Sequence, residues 1–141
     1  MSAEDNKELS LRYAVRTIIL NSNLQVLLVK RAEGVFEGGR WCLPGGVLEE
    51  YEDPKTGASR ENIEEMGFAS RLLPYDTIEN PDTSTGEKWV THYYVSHSSA
   101  LPTQLKKDEI SEVDFFDLEQ LHELDVAFDH KKVITDLLVK I

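Results

Sequence analysis

One helix is punctuated more firmly than anything else in this chain. Asp53-Pro54 sets a capping acid before a proline whose fixed φ suits a first helical turn, and Gly67 offers the left-handed residue on which helices commonly stop. The spacing predicts a helix from Pro54 to about Met66. Upstream, residues 12–20 (RYAVRTIIL) and 24–31 (LQVLLVKR) are rich in Val, Ile and Leu, and Asn21-Ser22-Asn23 divides them as a hairpin turn would. Residues 34–40 are glycine-rich and read as loop, and Trp41–Leu43 as a short strand ended by Pro44-Gly45-Gly46. Downstream, a strand is expected within 68–79, a polar loop from Asn80 to Lys88, a strand over 89–97 and a short strand ending at Phe115-Phe116. Asp117 is placed to cap a helix through Leu124, and Asp129 to cap a last helix from His130 to Lys140. Strands and helices alternate irregularly, so the expected class is α/β, a mixed β-sheet with helices on both faces. Residues 1–10 read as a loosely docked tail on a single domain spanning 1–141.

Composition narrows the function. The formal net charge is −11, and affinity for a nucleic-acid polymer comes from basic side chains displacing counterions, so that partner is not expected. The same charge repels a free nucleotide, and a phosphorylated substrate would need local positive charge, which a divalent cation supplies. No apolar run approaches the roughly 20 residues of a membrane-spanning helix, and the polar start lacks the features of a signal peptide. The expected location is cytoplasmic, with no membrane partner, and a homodimer is left open. Cys42 is the sole cysteine, which excludes an intrachain disulfide and a Cys-rich zinc site.

Chemistry concentrates in the predicted helix. Glu61, Glu64 and Glu65 stand at i, i+3 and i+4 and are expected to share one face. Like charges at that spacing cost roughly 0.2–0.5 kcal/mol per pair unless a cation intervenes, and hard carboxylate oxygens suit Mg²⁺ or Mn²⁺. A solvated acidic face would show the same pattern. Arg60 beside the cluster and the Gly45-Gly46 turn upstream, which lets backbone approach a phosphate, weigh against that bland reading.

Gly46 to Phe68 reads as Gly46, five residues, Glu52, seven residues, then Arg60-Glu61-Asn62-Ile63-Glu64-Glu65-Met66-Gly67-Phe68. This resembles the Nudix box, G-x5-E-x7-R-E-U-x-E-E-x-G-U, with U a bulky aliphatic. All seven fixed positions are present, a chance coincidence on the order of one in a million at average residue usage. Trp41-Cys42-Leu43-Pro44-Gly45-Gly46 is similar to the family's lead-in, Glu112–Phe116 to a late E-x-x-W-F segment, and Phe128-Asp129-His130 to the start of its final helix. One position departs: Asn62 stands where an aliphatic normally packs helix onto sheet. A buried Asn needs hydrogen-bond partners, so the helix is expected to rotate slightly or Asn62 to bond to backbone.

The resemblance implies a Nudix-type α/β/α sandwich with a loop-helix-loop catalytic motif. It implies Mg²⁺-dependent hydrolysis of a diphosphate linkage in a nucleoside diphosphate derivative, with Mn²⁺ as a substitute. Glu61, Glu64 and Glu65 are then metal ligands, with a backbone carbonyl of Gly45 or Gly46 beside them. Glu61 is one candidate general base, and Glu109 and Glu112 are others from a later loop. Arg60 is expected to hold box carboxylates by ion pairs, with Glu52 and Glu49 as partners or additional ligands. Arg31 is a candidate for a substrate phosphate, and Trp89, Tyr93, Tyr94 and Phe36 for a nucleobase. His92, His97, His122 and His130 do not cluster in sequence; an exposed or capping role suits His130, and His92 lies on a strand that can face the site. ADP-ribose or a nucleotide sugar is the preferred substrate, ahead of a nucleoside triphosphate or oxidised dNTP and then dinucleoside polyphosphates. A non-catalytic nucleotide-binding module is the competing class, and the complete box speaks against it.

Overall fold

The computed structural model describes residues 10–68, 70–82 and 86–141. The expected N-terminal tail, apart from Ser10, lies outside the described residues. The strands are β1 (Ser10–Leu20), β2 (Val26–Arg31), β3 (Trp41–Cys42), β4 (Gly45–Val47), β5 (Leu73–Asp82), β6 (Glu87–His97) and β7 (Ile110–Phe116). The helices are α1 (Pro54–Met66), α2 (Leu118–Glu123) and α3 (His130–Leu138).

β1 organises the sheet. It lies parallel to β6 from Ser10 opposite Glu87 to Leu20 opposite His97, and antiparallel to β2 at its far end and to β4 across Ala14–Arg16. β2 carries β3 and β7 as antiparallel neighbours, and β6 carries β5. Pleating sends alternate residues to opposite faces. Ile18, Leu28 and Tyr93 pack with Leu121, Val133, Ile134 and Leu137 under α2 and α3, while Ile19, Leu27 and Val29 pack with Met66, and Val15 and Tyr94 with Ala58, under α1. The result is the expected mixed sheet between helical layers.

Local signals explain most element ends. Asp53 accepts the Thr56 N–H at 3.2 Å, Pro54 opens α1, and Gly67 closes it at φ 75° by donating to the Ile63 carbonyl. Asp117 and Gln120 form a reciprocal capping box on α2.

Three expectations fail locally. The polar stretch from Asn80 to Lys88 is largely strand, because Asn80, Pro81 and Asp82 pair with Trp89, Lys88 and Glu87; the Glu79–Lys88 ion pair at 3.0 Å crosses this solvated ladder. Gly45–Val47 is a strand rather than the end of one, held by backbone pairing to β1 that no side chain advertises. Asp129 precedes α3 without capping it, since its carboxylate accepts from Asn80 Nδ2 at 3.0 Å, and α3 ends at Leu138.

Candidate active site

β4 lies beside β1, and α1 packs against both, so Glu61 and Glu65 of α1 meet Gly46 and Gly45. The three glutamates are not equivalent, because successive helical residues turn by about 100°. Glu65 points into the sheet and is 5% exposed; the Gly45 N–H donates to its carboxylate at 3.0 Å. Glu61 lies against Gly46, where a Cβ would stand 2.6–2.7 Å from its carboxyl atoms and would push that carboxyl aside. Glu64 turns outward, about half exposed. The shared face expected from spacing is therefore a fan from buried to solvent. As the side chains stand, no group of three His, Cys, Asp or Glu among the described residues is arranged to hold an ion.

Arg60 ties this fan together. It makes a bidentate pair with Glu52 at 2.7 and 2.9 Å, and reaches Glu61 at 3.0 Å, Glu64 at 3.1 Å and the Val47 carbonyl at 3.3 Å. Glu49 stands 3.5 Å away. Glu52 also accepts the Glu49 N–H, and these hydrogen bonds, Arg60's foremost, hold its carboxyl down near pKa 2. Glu61 and Glu65 are pushed the other way, chiefly by burial, and then by neighbouring carboxylates that include Glu109 in both cases. A cation is what such a pair lacks. Two largely buried carboxyls made hard to ionise, one of them lying against a glycine backbone, fit a divalent metal bound through oxygen.

The two later candidates separate. Lys106 N–H donates to the Glu65 carbonyl at 3.0 Å, pinning the turn that carries Glu109 beside α1. Glu112 instead pairs with Lys30 at 3.2 Å on the ladder between β2 and β7.

On the opposite face of β1 a cleft of about 620 Å³ opens. Arg31, Phe36, Trp89 and Tyr93 all line it, as do Arg16, Phe128, Asp129 and His130. The Phe36 and Phe128 rings stand 6.3 Å apart and tilted by 39°. Phe128 holds φ +59° and Glu37, also at the rim, φ +60°, unusual strain for non-glycine residues. Tyr93 is almost fully buried and forms floor, whereas Tyr94 faces α1 and does not reach the cleft. Glu49 and His92 line a separate cleft of about 570 Å³ with Arg12, Tyr51 and Pro54. His130 is not an exposed cap: it is 3% exposed, accepts the Leu43 N–H through Nδ1 at 3.1 Å, and is kept neutral by burial and then by Arg16 and Arg31.

Arg16 escaped the sequence reading, and Phe128 entered it only through resemblance. The signal for Arg16 was an Arg among apolar residues of a buried strand, on the same face as Ala14 and Ile18. Asn62 is 1% exposed. Its Nδ2 donates to the Thr17 hydroxyl at 3.3 Å rather than to backbone, and its Oδ1 has no partner.

The NUDIX domain family model matches residues 10–137. The chain belongs to this family. Nudix hydrolases act on pyrophosphate bonds, and the family generally uses divalent metals and small nucleotide substrates. An RNA pyrophosphohydrolase of Pelagibacter ubique is 27% identical over 88% of each chain. A MutT NUDIX hydrolase from Burkholderia pseudomallei has the same fold, with a TM-score of 0.77 at 26% identity over 89% of this chain and 97% of that one. The NUDIX domain of Shewanella oneidensis NrtR, solved with ADP ribose, superposes at TM-score 0.78 over 99% of this chain and 93% of its own; at 24% identity this shows fold alone. The matches to the other curated relatives span only a fifth to a third of those proteins' lengths. No described helix is long and apolar enough to cross a membrane.

Proposed function

We propose that this Nudix hydrolase carries out Mg²⁺-dependent hydrolysis of the diphosphate linkage in a nucleoside diphosphate derivative, with ADP-ribose or a nucleotide sugar as the preferred class. The observation that carries this reading is the pairing of two sites across β1. Buried carboxylates of α1 stand at Gly45-Gly46, and Arg16, the residue paired with Gly45, enters an aromatic cleft.

Glu61 and Glu65 would hold the metal, together with Glu64 and the Gly46 carbonyl. When bound, the cation neutralises the diphosphate oxygens and lowers the pKa of water. Glu109 is the carboxylate outside the box that acts on both Glu61 and Glu65, and it takes the proton from the attacking water. Arg60 keeps Glu52, Glu61 and Glu64 in place, a rotamer-fixing task. The cleft stacks the nucleobase on Phe36 and Phe128, while Asp129 and Asn80 offer oxygen acceptors at its rim.

The test is a product-resolved screen of ADP-ribose, nucleotide sugars, nucleoside triphosphates and dinucleoside polyphosphates with Mg²⁺ and with Mn²⁺. Release of a nucleoside monophosphate from ADP-ribose, with kcat/KM above that for triphosphates, is expected. Tight nucleotide binding without cleavage of any compound would overturn catalysis.

A further inference from the structure

The cleft holds a charge that most of this acidic chain neutralises. Arg12, Arg40 and Arg60 each meet a carboxylate within 4.0 Å. Arg16, Arg31 and Arg71 meet none among the described residues, although acidic residues outnumber basic ones 26 to 15, and of these three only Arg16 and Arg31 line the cleft.

These two guanidiniums also converge. Their central carbons stand 5.4 and 5.3 Å from the centroid of one ring, Phe128, and each sends an Nη1 toward the Cys42 sulfur, at 4.0 and 3.8 Å. Both are fastened to neutral carbonyls. Arg16 donates to the Leu43 oxygen at 2.9 Å, and Arg31 donates through Nε to the Phe36 oxygen at 2.6 Å. Such bonds fix position without cancelling charge; the one carboxyl that feels Arg16 strongly, that of Glu65, lies beyond ion-pair distance and is hard to ionise. Two like charges held together are unfavourable unless an anion lies between them, and a guanidinium fork matches phosphate oxygens. His130 adds a neutral donor: with Nδ1 accepting from Leu43, its hydrogen sits on Nε2.

Position identifies the anion. Both guanidiniums share the cleft with the stacking rings of Phe36 and Phe128, and the strand that carries Arg16 is paired with the backbone that holds Glu65, through the Gly45 N–H. We propose that Arg16 and Arg31 together form a preassembled phosphate subsite that grips the phosphate on the nucleoside side of the scissile linkage, independently of metal. This rests on reading the cleft as the nucleotide site.

The experiment is calorimetric binding of ADP against adenosine, and of GDP against guanosine, to the full chain with divalent cations chelated. For at least one pair the wild type is expected to bind the diphosphate ten-fold or more tighter than the nucleoside, with the preference shrinking as salt rises. R16Q/R31Q is expected to cut that preference, read as the ratio of diphosphate to nucleoside affinity in the same variant, to two-fold or less. If the double variant does not fold, R31Q alone carries the test, with a loss of three-fold or more. Equal binding of diphosphate and nucleoside by the wild type, or a preference that survives in a folded variant, overturns the subsite. A separate turnover assay with Mg²⁺ reads the catalytic proposal: metal-free preference without any cleavage sinks catalysis and leaves the subsite standing.

Discussion

The backbone N–H of Lys106 donates to the carbonyl oxygen of Glu65 at 3.0 Å, joining the last turn of α1 to the loop before β7. Glu109, three residues on, pairs with the Lys106 side chain and lies near enough to raise the pKa of both Glu61 and Glu65. Glu109→Gln is therefore expected to lower kcat by about 100-fold or more, the usual scale for a lost general base. Glu112→Gln, which breaks only the pair with Lys30, is expected to stay within about three-fold of wild type. Steady-state kinetics at saturating Mg²⁺ decide; equal losses in the two variants would remove Glu109 from the role.

Glu65→Gln tests the metal assignment. Gln keeps an oxygen for the Gly45 N–H and is neutral, as burial already favours for this carboxyl, so the fold and melting temperature should be retained. Hydrolysis should fall by more than about 100-fold. Turnover that is unchanged with saturating Mg²⁺ would refute Glu65 as a ligand.

Asn62 and Thr17 form an isolated polar pair in the core, with one amide oxygen unsatisfied. Replacing both by apolar residues of similar volume, Asn62→Leu with Thr17→Val, should raise stability by about 1–3 kcal/mol. That corresponds to a rise in Tm of several degrees for a chain of this size. Thr17→Val alone should lower Tm, because it strands the Asn62 amide entirely. Opposite signs for the single and double variants, read by denaturant unfolding, are the expected signature.

His130 gives the protein a pH-dependent stability. Burial, with Arg16 and Arg31 beside it, holds its pKa well below the ordinary 6.5. The unfolded chain binds a proton as pH falls through 6.5, while the folded chain does not, so stability is full above 6.5 and is lost progressively below it. His130→Gln should flatten this dependence between about pH 7 and 5. An identical slope in wild type and variant would assign the effect to other groups.

Much of this was legible in the sequence because it is local. Asp53-Pro54 and Gly67 bound α1, Asp117 and Gln120 cap α2, and the Val-, Ile- and Leu-rich runs of β1 and β2 around Asn21-Ser22-Asn23 announce a hairpin, since each signal acts within a few residues of itself. The box likewise named Arg60 and its glutamates, which lie within two helical turns of one another. What spacing could not give was direction. Whether Glu64 or Glu65 is buried depends on which side of α1 meets β4, and that is set by packing of the whole helix on the sheet. The cleft is more distant still from any local rule. Arg16, Arg31, Phe36 and Phe128 are brought together by the antiparallel pairing of β1 with β2 and by the bridge from Trp41 to Val126, which lays the residues before α3 beside β3. Sequence alone determined the family and the acidic helix; tertiary structure alone decided which carboxylates lose water and which arginines go unpaired. Desolvation and long-range charge belong to the assembled surfaces rather than to any segment.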